Sequence, residues 1–142
     1  MSKINWARLT LGALITAAIC FISDGFLHQR LVDGQWEAVF AALQLDITEH
    51  EHGSAMIYFV IFELGRGFLT LFVYALMRPR YGAGPLTAVW AGVVAWFAYS
   101  LTGPVQFIPL GFFSNELWLA AGGYQLVASV IAAVAGAAPY KE

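Results

Sequence analysis

The sequence predicts an all-α membrane protein, built as a bundle of four transmembrane helices with a short interfacial amphipathic helix between helices 1 and 2. Of the 142 residues, 60% are hydrophobic and only 11% are charged, and the mean hydropathy is +0.70. A soluble domain carries about 25% charged residues. A chain of this length buries too little surface to hide such an apolar excess inside itself, so the excess must contact lipid.

Four apolar blocks carry the prediction of four helices, at about 6–28, 49–77, 85–101 and 115–138. Each approaches the roughly 20 residues that a helix needs to cross the hydrocarbon of a bilayer. Transmembrane β-strands would instead give alternating segments of about ten residues. Nothing between the blocks is long enough to fold separately, so residues 1–142 are expected to form one transmembrane domain.

The first block is interpreted as a retained helix and not as a signal peptide, because no small-residue cleavage site precedes a soluble domain. Basic residues near the helix ends predict the orientation. Five of them fall on one predicted side: Lys3, Arg8, Arg78, Arg80 and Lys141. The loop between helices 1 and 2 has Arg30 among five acidic residues. Both chain ends are therefore expected in the cytoplasm (N-in/C-in), with this loop outside.

The connecting segments differ in character. Within residues 29–47, apolar side chains at helical spacing predict the amphipathic helix in the outer interface: Trp36, Val39, Phe40 and Leu43. The stretch "RPRYGAGP" predicts a tight turn in which Pro79 ends helix 2 and Pro85 begins helix 3. The uncharged stretch "TGPVQFIPLGFFS" should lie at the interface, dip into the bundle or contact a partner.

Helix 4 has a predicted start and a predicted packing face. Ser114 is expected to cap it, with Glu116 in its first turn. Ala128, Ala132 and Gly136 form a small-residue face that permits close helix approach. This face is expected to serve internal packing, and dimerisation is the alternative.

Helix 2 carries a polar stripe. At 100° per residue, five side chains lie within about 40° of one direction and should face the bundle interior: His52, Phe59, Glu63, Arg66 and Thr70. Glu63 and Arg66 are three residues apart and form an intramembrane polar pair. The pair is either a proton or cation site or a neutralising structural pair, in which each charge offsets the desolvation of the other. Gly65 and Gly67 allow a neighbouring helix to pack closely.

Helix 1 carries a second stripe, with Thr16, Cys20, Asp24 and His28 each one turn apart. Asp24 and His28 are positioned to hydrogen-bond, as a carboxylate does when it orients a metal-binding imidazole. All three histidines of the chain are predicted on one side of the membrane. His28, His50 and His52, with Asp24, are therefore a candidate zinc or copper site.

The stretch "TEHEHG" at 48–53 also has a simpler interpretation. Thr48 followed by Glu51 is a capping box at the start of helix 2, and the carboxylates in its first turn offset the helix dipole. On this interpretation the histidines only mark a helix start at the water boundary.

The remaining residues exclude several classes of protein. Cys20 is the only cysteine, so an internal disulfide and a CxxC redox pair are excluded. The seven basic residues form no run, which argues against nucleic-acid binding. No catalytic residue is assigned, because no Ser-His-Asp order, phosphate-binding loop or HExxH signature is present.

The segments "INWARLTLGALITAAICFISDGFLH" and "RPRYGAGPLTAV" resemble a loose group of small four-helix bacterial integral membrane proteins of unknown function. The resemblance covers most of the chain, and "EHEH" is not part of it. It implies the four-helix topology and a bacterial cytoplasmic (inner) membrane, and it implies no activity.

The functional expectation is a non-enzymatic protein, an accessory or structural subunit of a larger membrane assembly. Its partners would be the lipid bilayer and other membrane subunits, or further copies of itself. The alternative is a small transporter or metal-handling protein that uses Glu63, Arg66 and the outer histidines. A third alternative is an enzyme of the outer membrane–water interface. No cofactor is predicted, apart from zinc or copper at the histidine cluster.

Overall fold

The computed structural model describes residues 4–44, 54–112 and 114–140, and over these residues the chain is helical, without strands. Four helices within them are long and apolar enough to span a membrane: Trp6–Leu31, Met56–Tyr81, Pro85–Leu110 and Asn115–Ala137. The prediction of an all-helical chain with four helices of membrane-spanning length is confirmed.

Over the described residues, the chain forms six α-helical segments. Helix α1 spans Trp6–Phe26 and continues as a π-helical segment over Leu27–Leu31. Helix α2 spans Asp33–Ala42, and α3 spans Ser54–Tyr81. Helix α4 spans Pro85–Trp96 and continues as a π-helical segment over Phe97–Leu101. A short α5, Thr102–Val105, and a 3-10 turn, Ile108–Leu110, lead to α6, Asn115–Ala137.

Side-chain caps begin the spans of α1 and α6. The Ser114 side chain accepts a hydrogen bond from the backbone N–H of Leu117 at 3.1 Å, as predicted for the start of α6. The Asn5 side chain accepts in the same way from Arg8 at 3.2 Å and begins α1. Both side chains satisfy a backbone donor that lacks a partner in the first helical turn. The capping box predicted at Thr48 and Glu51 lies outside the described residues.

The prediction that Pro79 ends the second spanning helix is wrong. Pro79 lies inside α3, which continues to Tyr81. A proline lacks one backbone donor and bends a helix, but here only two helical residues follow it. The turn itself comes within the predicted stretch, at Gly82 and Gly84, whose φ angles of 83° and 156° are ones that L side chains rarely adopt. Pro85 begins α4, as predicted.

Small residues set the distances between the spanning helices. Helix α1 packs against α3 and α6, and α4 packs against the same two helices. A Cβ added at Gly67 of α3 would collide with the backbone carbonyl of Ala13 in α1. A Cβ added at Gly136 of α6 would collide with Thr16 and with the carbonyl of Gly12. The small-residue face of α6 therefore serves internal packing against α1.

Helix α2 covers one end of the bundle, which is called the α2 end below. Leu27, Val32 and Leu117 are buried there, and Trp36 and Val39 of α2 pack against them. The amphipathic segment predicted within residues 29–47 is thus a helix over Asp33–Ala42. Its apolar residues contact the ends of α1 and α6.

The apolar side chains in the first turns of α3 are more exposed than the inward-facing residues of the rest of that helix. All seven apolar side chains from Met56 to Phe62 are between 41% and 74% exposed. Phe59, which the helix 2 stripe placed in the interior, is 61% exposed, so that assignment is wrong. At this end the π-helical extension of α1 and helix α2 pack towards α6. The interior face of α3 therefore begins only at Glu63.

Candidate functional site

Arg66 lies at the centre of the bundle and its side chain is fully buried. Its Nη1 donates a hydrogen bond to Asp24 Oδ2 at 2.9 Å and forms a longer ion pair with Glu63 Oε1 at 3.5 Å. Its Nη2 donates to the Ser129 hydroxyl at 2.6 Å. One guanidinium thus connects α1, α3 and α6.

Asp24 is held from two sides. Besides Arg66, the Gln125 side-chain amide donates to Asp24 Oδ2 at 3.0 Å. We call the five side chains Asp24, Glu63, Arg66, Gln125 and Ser129 the Arg66 cluster. A hydrogen bond to a charged group stabilises more than a neutral one. The cluster therefore ties the three helices together where the surroundings are otherwise apolar.

The two stripes that helical spacing predicted account for the way the cluster forms. Thr16 and Cys20 of α1 are buried in line with Asp24, and Glu63, Arg66 and Thr70 are buried along α3. Thr70 donates from its hydroxyl to the Arg66 carbonyl at 2.8 Å. Because α1 and α3 pack side by side, the stripes face each other, and Asp24 meets Arg66.

The charges within the cluster do not balance. Two carboxylates, Asp24 and Glu63, contact one guanidinium. Within the cluster, three buried polar atoms have no hydrogen-bond partner among the described residues, namely Asp24 Oδ1, Glu63 Oε2 and Arg66 Nε. Buried polar atoms are nearly always paired with protein groups or with ordered water, so these three atoms are positions where a water molecule, an ion or a proton can bind.

The depth of the cluster follows from helix geometry. Asp24 is seven residues from the end of its span at Leu31. At 1.5 Å per residue, it lies about 10 Å in from the α2 end of the bundle. Glu63 lies near the same level, because both carboxyl groups contact Arg66. The Asp24 side chain is 13% exposed, against 7% for Glu63 and 1% for Arg66. The approach to the cluster is therefore most open at Asp24.

Several of these contacts were not predicted from the sequence. Helical spacing predicted pairs of Arg66 with Glu63 and of Asp24 with His28, whereas Asp24 is the closer partner of Arg66. Gln125 and Ser129 were not predicted as site residues. A signal for both was present, because they are polar residues one turn apart in the apolar part of α6. Two such residues on one face would have predicted a polar contact inside the bundle.

His28 lies one turn beyond Asp24 and contacts α2. The Trp36 indole N–H donates to His28 Nδ1 at 2.7 Å, and the ring centroids are 5.5 Å apart. A nitrogen that accepts a hydrogen bond carries no proton, so this imidazole is neutral with its hydrogen on Nε2. The zinc or copper site at His28, His50, His52 and Asp24 stays a prediction, because His50 and His52 lie outside the described residues.

Comparisons with protein families, with curated proteins and with solved structures find no match to this chain.

Proposed function

We propose that this protein is a small membrane transporter that binds a cation at the Arg66 cluster. The observation that carries the proposal is the charge count, since Asp24 and Glu63 share the single guanidinium of Arg66. With both carboxylates ionised, the cluster has one excess negative charge. An ionised residue inside a transmembrane segment is unfavourable, by up to about 2.5–3.5 kcal/mol at the helix centre on insertion scales, and a bound cation neutralises the excess charge.

The position of the cluster supports this proposal. Its side chains come from α1, α3 and α6. Sites in membrane transporters commonly lie within the bilayer where helices meet. A small movement between α1 and α3 would separate Asp24 from Arg66 and so change the affinity for a cation. That dependence of affinity on helix position is what alternating access requires.

The proposed orientation follows the basic residues. The Arg8 side chain donates a hydrogen bond to the Pro139 carbonyl at 3.0 Å. The first turn of α1 and the C-terminal end of α6 therefore meet at the end of the bundle opposite α2. Arg78 and Arg80 lie near the other end of α3, away from the cluster. We place this arginine-rich end in the cytoplasm by the positive-inside rule, in a bacterial inner membrane. Helix α2 would then lie in the outer interface, on the side from which Asp24 is reached.

The test is a flux measurement on the purified chain in liposomes, with proton, sodium, potassium, zinc and copper gradients applied in turn. The isosteric variants Asp24→Asn and Glu63→Gln each remove one carboxylate. Glu37→Gln, which changes an exposed carboxylate of α2, is the matched control. We expect the wild type and the control to move one of these cations, and flux to fall at least tenfold in both cluster variants. The proposal fails if the wild type moves none of them, or if flux survives in the Asp24→Asn, Glu63→Gln double variant.

A second candidate function is that of an accessory subunit in a larger membrane assembly. It is favoured by the exposed apolar segment Met56–Phe62, which offers a complete helix surface to a partner. A photo-crosslinking residue at Tyr58, 74% exposed, tests this in native membranes, with Leu86, 70% exposed, as the matched control. The subunit function predicts a protein adduct, with a second copy or another subunit, from position 58 and none from position 86. Lipid adducts alone at both positions would contradict it.

A further inference from the structure

We infer that the cation held by the Arg66 cluster is a single proton, shared between the carboxyl groups of Asp24 and Glu63. This inference rests on the proposed function and names the ligand of the same site. It adds that the cluster is neutral as a whole, with one carboxyl protonated and the other paired with Arg66.

The geometry brings the two carboxyl groups together. Asp24 Oδ2 and Glu63 Oε1 contact the same nitrogen, Nη1 of Arg66. An ionised carboxylate can only accept hydrogen bonds, so two of them side by side repel. A proton on either one removes this repulsion and converts that carboxyl group into a hydrogen-bond donor, as in other paired carboxyl sites.

The unpartnered atoms indicate where the proton binds. Asp24 Oδ1 and Glu63 Oε2 are the carboxylate oxygens of the cluster without a partner among the described residues. The Glu63 side chain is only 7% exposed, so water has little access to its unpartnered oxygen. Protonation needs one free oxygen and no rearrangement of the contacts that Arg66 already makes.

The ligand set favours a proton over a metal ion. Zinc takes four ligands and calcium takes six to eight. The cluster offers two free carboxylate oxygens, and the guanidinium of Arg66 lies beside them and repels a metal cation. Over residues 4–44, 54–112 and 114–140, no three His, Cys, Asp or Glu side chains are arranged to hold a metal.

The other titratable groups near the cluster do not supply the missing positive charge. On α1 these are the buried thiol of Cys20 and the imidazole of His28, which Trp36 holds in a neutral form. The Tyr124 hydroxyl of α6 accepts from Ser23, and the Tyr99 hydroxyl beyond α4 lies against Gly65. None of these is a cation, so within the described residues Arg66 faces both carboxyl groups alone.

The test is infrared spectroscopy of the purified protein in lipid at neutral pH, which resolves the carbonyl stretch of a protonated carboxylic acid by its shift in heavy water. We expect one such band in the wild type. Removing either carboxyl leaves one carboxylate for one guanidinium, so the band should be lost in Glu63→Gln and, separately, in Asp24→Asn. The control Glu37→Gln should keep it.

The outcomes separate this inference from the proposed function. The inference is overturned if the wild type has no protonated carboxyl band, or if the band persists in both single variants. If the band is absent while a metal cation crosses the membrane in a cluster-dependent way, the transporter proposal stands with another ligand. If the band behaves as expected and no cation crosses, the proton is bound as inferred and the transporter proposal fails.

Discussion

Replacing Arg66 with methionine tests whether the ion pairs of the cluster are shielded from water and stabilise the fold. Methionine is apolar and unbranched and matches the aliphatic stem of arginine, so the substitution preserves the packing of that stem. It removes the guanidinium that Asp24 and Glu63 share. Among the described residues, Asp24 then keeps its hydrogen bond from Gln125, and the Ser129 hydroxyl loses the hydrogen bond from Arg66.

The expected loss of stability follows from burial. The side chains of Arg66, Asp24 and Glu63 are 1%, 13% and 7% exposed, so the contact is shielded from water. Removing one partner of a buried ion pair costs about 3–5 kcal/mol, because the other charge is left uncompensated. A surface substitution such as Arg80→Met, at an exposed position near the end of α3, should change stability by about 0.5 kcal/mol or less.

The assay is equilibrium unfolding in mixed micelles, with the free energy of unfolding compared between Arg66→Met and the control Arg80→Met. Adding Asp24→Asn and Glu63→Gln to Arg66→Met should recover most of the loss, because no charge then remains buried. Equal unfolding free energies for Arg66→Met and Arg80→Met would refute the reasoning and show that the cluster is hydrated.

Three further predictions concern packing, capping and helix docking. Gly67→Ala should destabilise the bundle by about 1–3 kcal/mol in the same assay, because the new Cβ meets backbone atoms of α1, whereas Gly25→Ala, with nothing within 4 Å, should not destabilise it. Ser114→Ala should cost about 1 kcal/mol through loss of the α6 cap, and unchanged stability would show that the cap is dispensable. Trp36→Phe removes the hydrogen bond to His28, so amide hydrogen exchange should speed up across α2, and unaltered exchange would contradict a role for that bond in docking α2.

Hydropathy and helical periodicity predict much of this architecture because both are local properties of the chain. The four spans follow from apolar length, and the buried faces at Cys20 and Asp24 and at Glu63 and Arg66 follow from the 100° step of a helix. The cap at Ser114 follows from its residue type and position.

The pairings within the site are not local and could not be predicted in the same way. Spacing along one helix placed Glu63 beside Arg66, but which residue of another helix meets Arg66 depends on the register between α1 and α3. That register is set where Gly67 lies against the α1 backbone. Phe59 illustrates the same limit. Periodicity identifies which face of α3 points towards its neighbours, but it does not show at which residue along α3 the packing begins.

The distribution of charge among the four spans has a consequence for insertion during synthesis. Helix α1 brings Asp24 into the membrane first, and α3 follows with Glu63 and Arg66, so the ion pairs can close while only these two spans have been made. Helix α4 carries no charged residue, and α6 carries none beyond Glu116 in its first turn. The later spans therefore enter the bilayer as ordinary apolar helices. The last of them completes the site with the neutral side chains of Gln125 and Ser129.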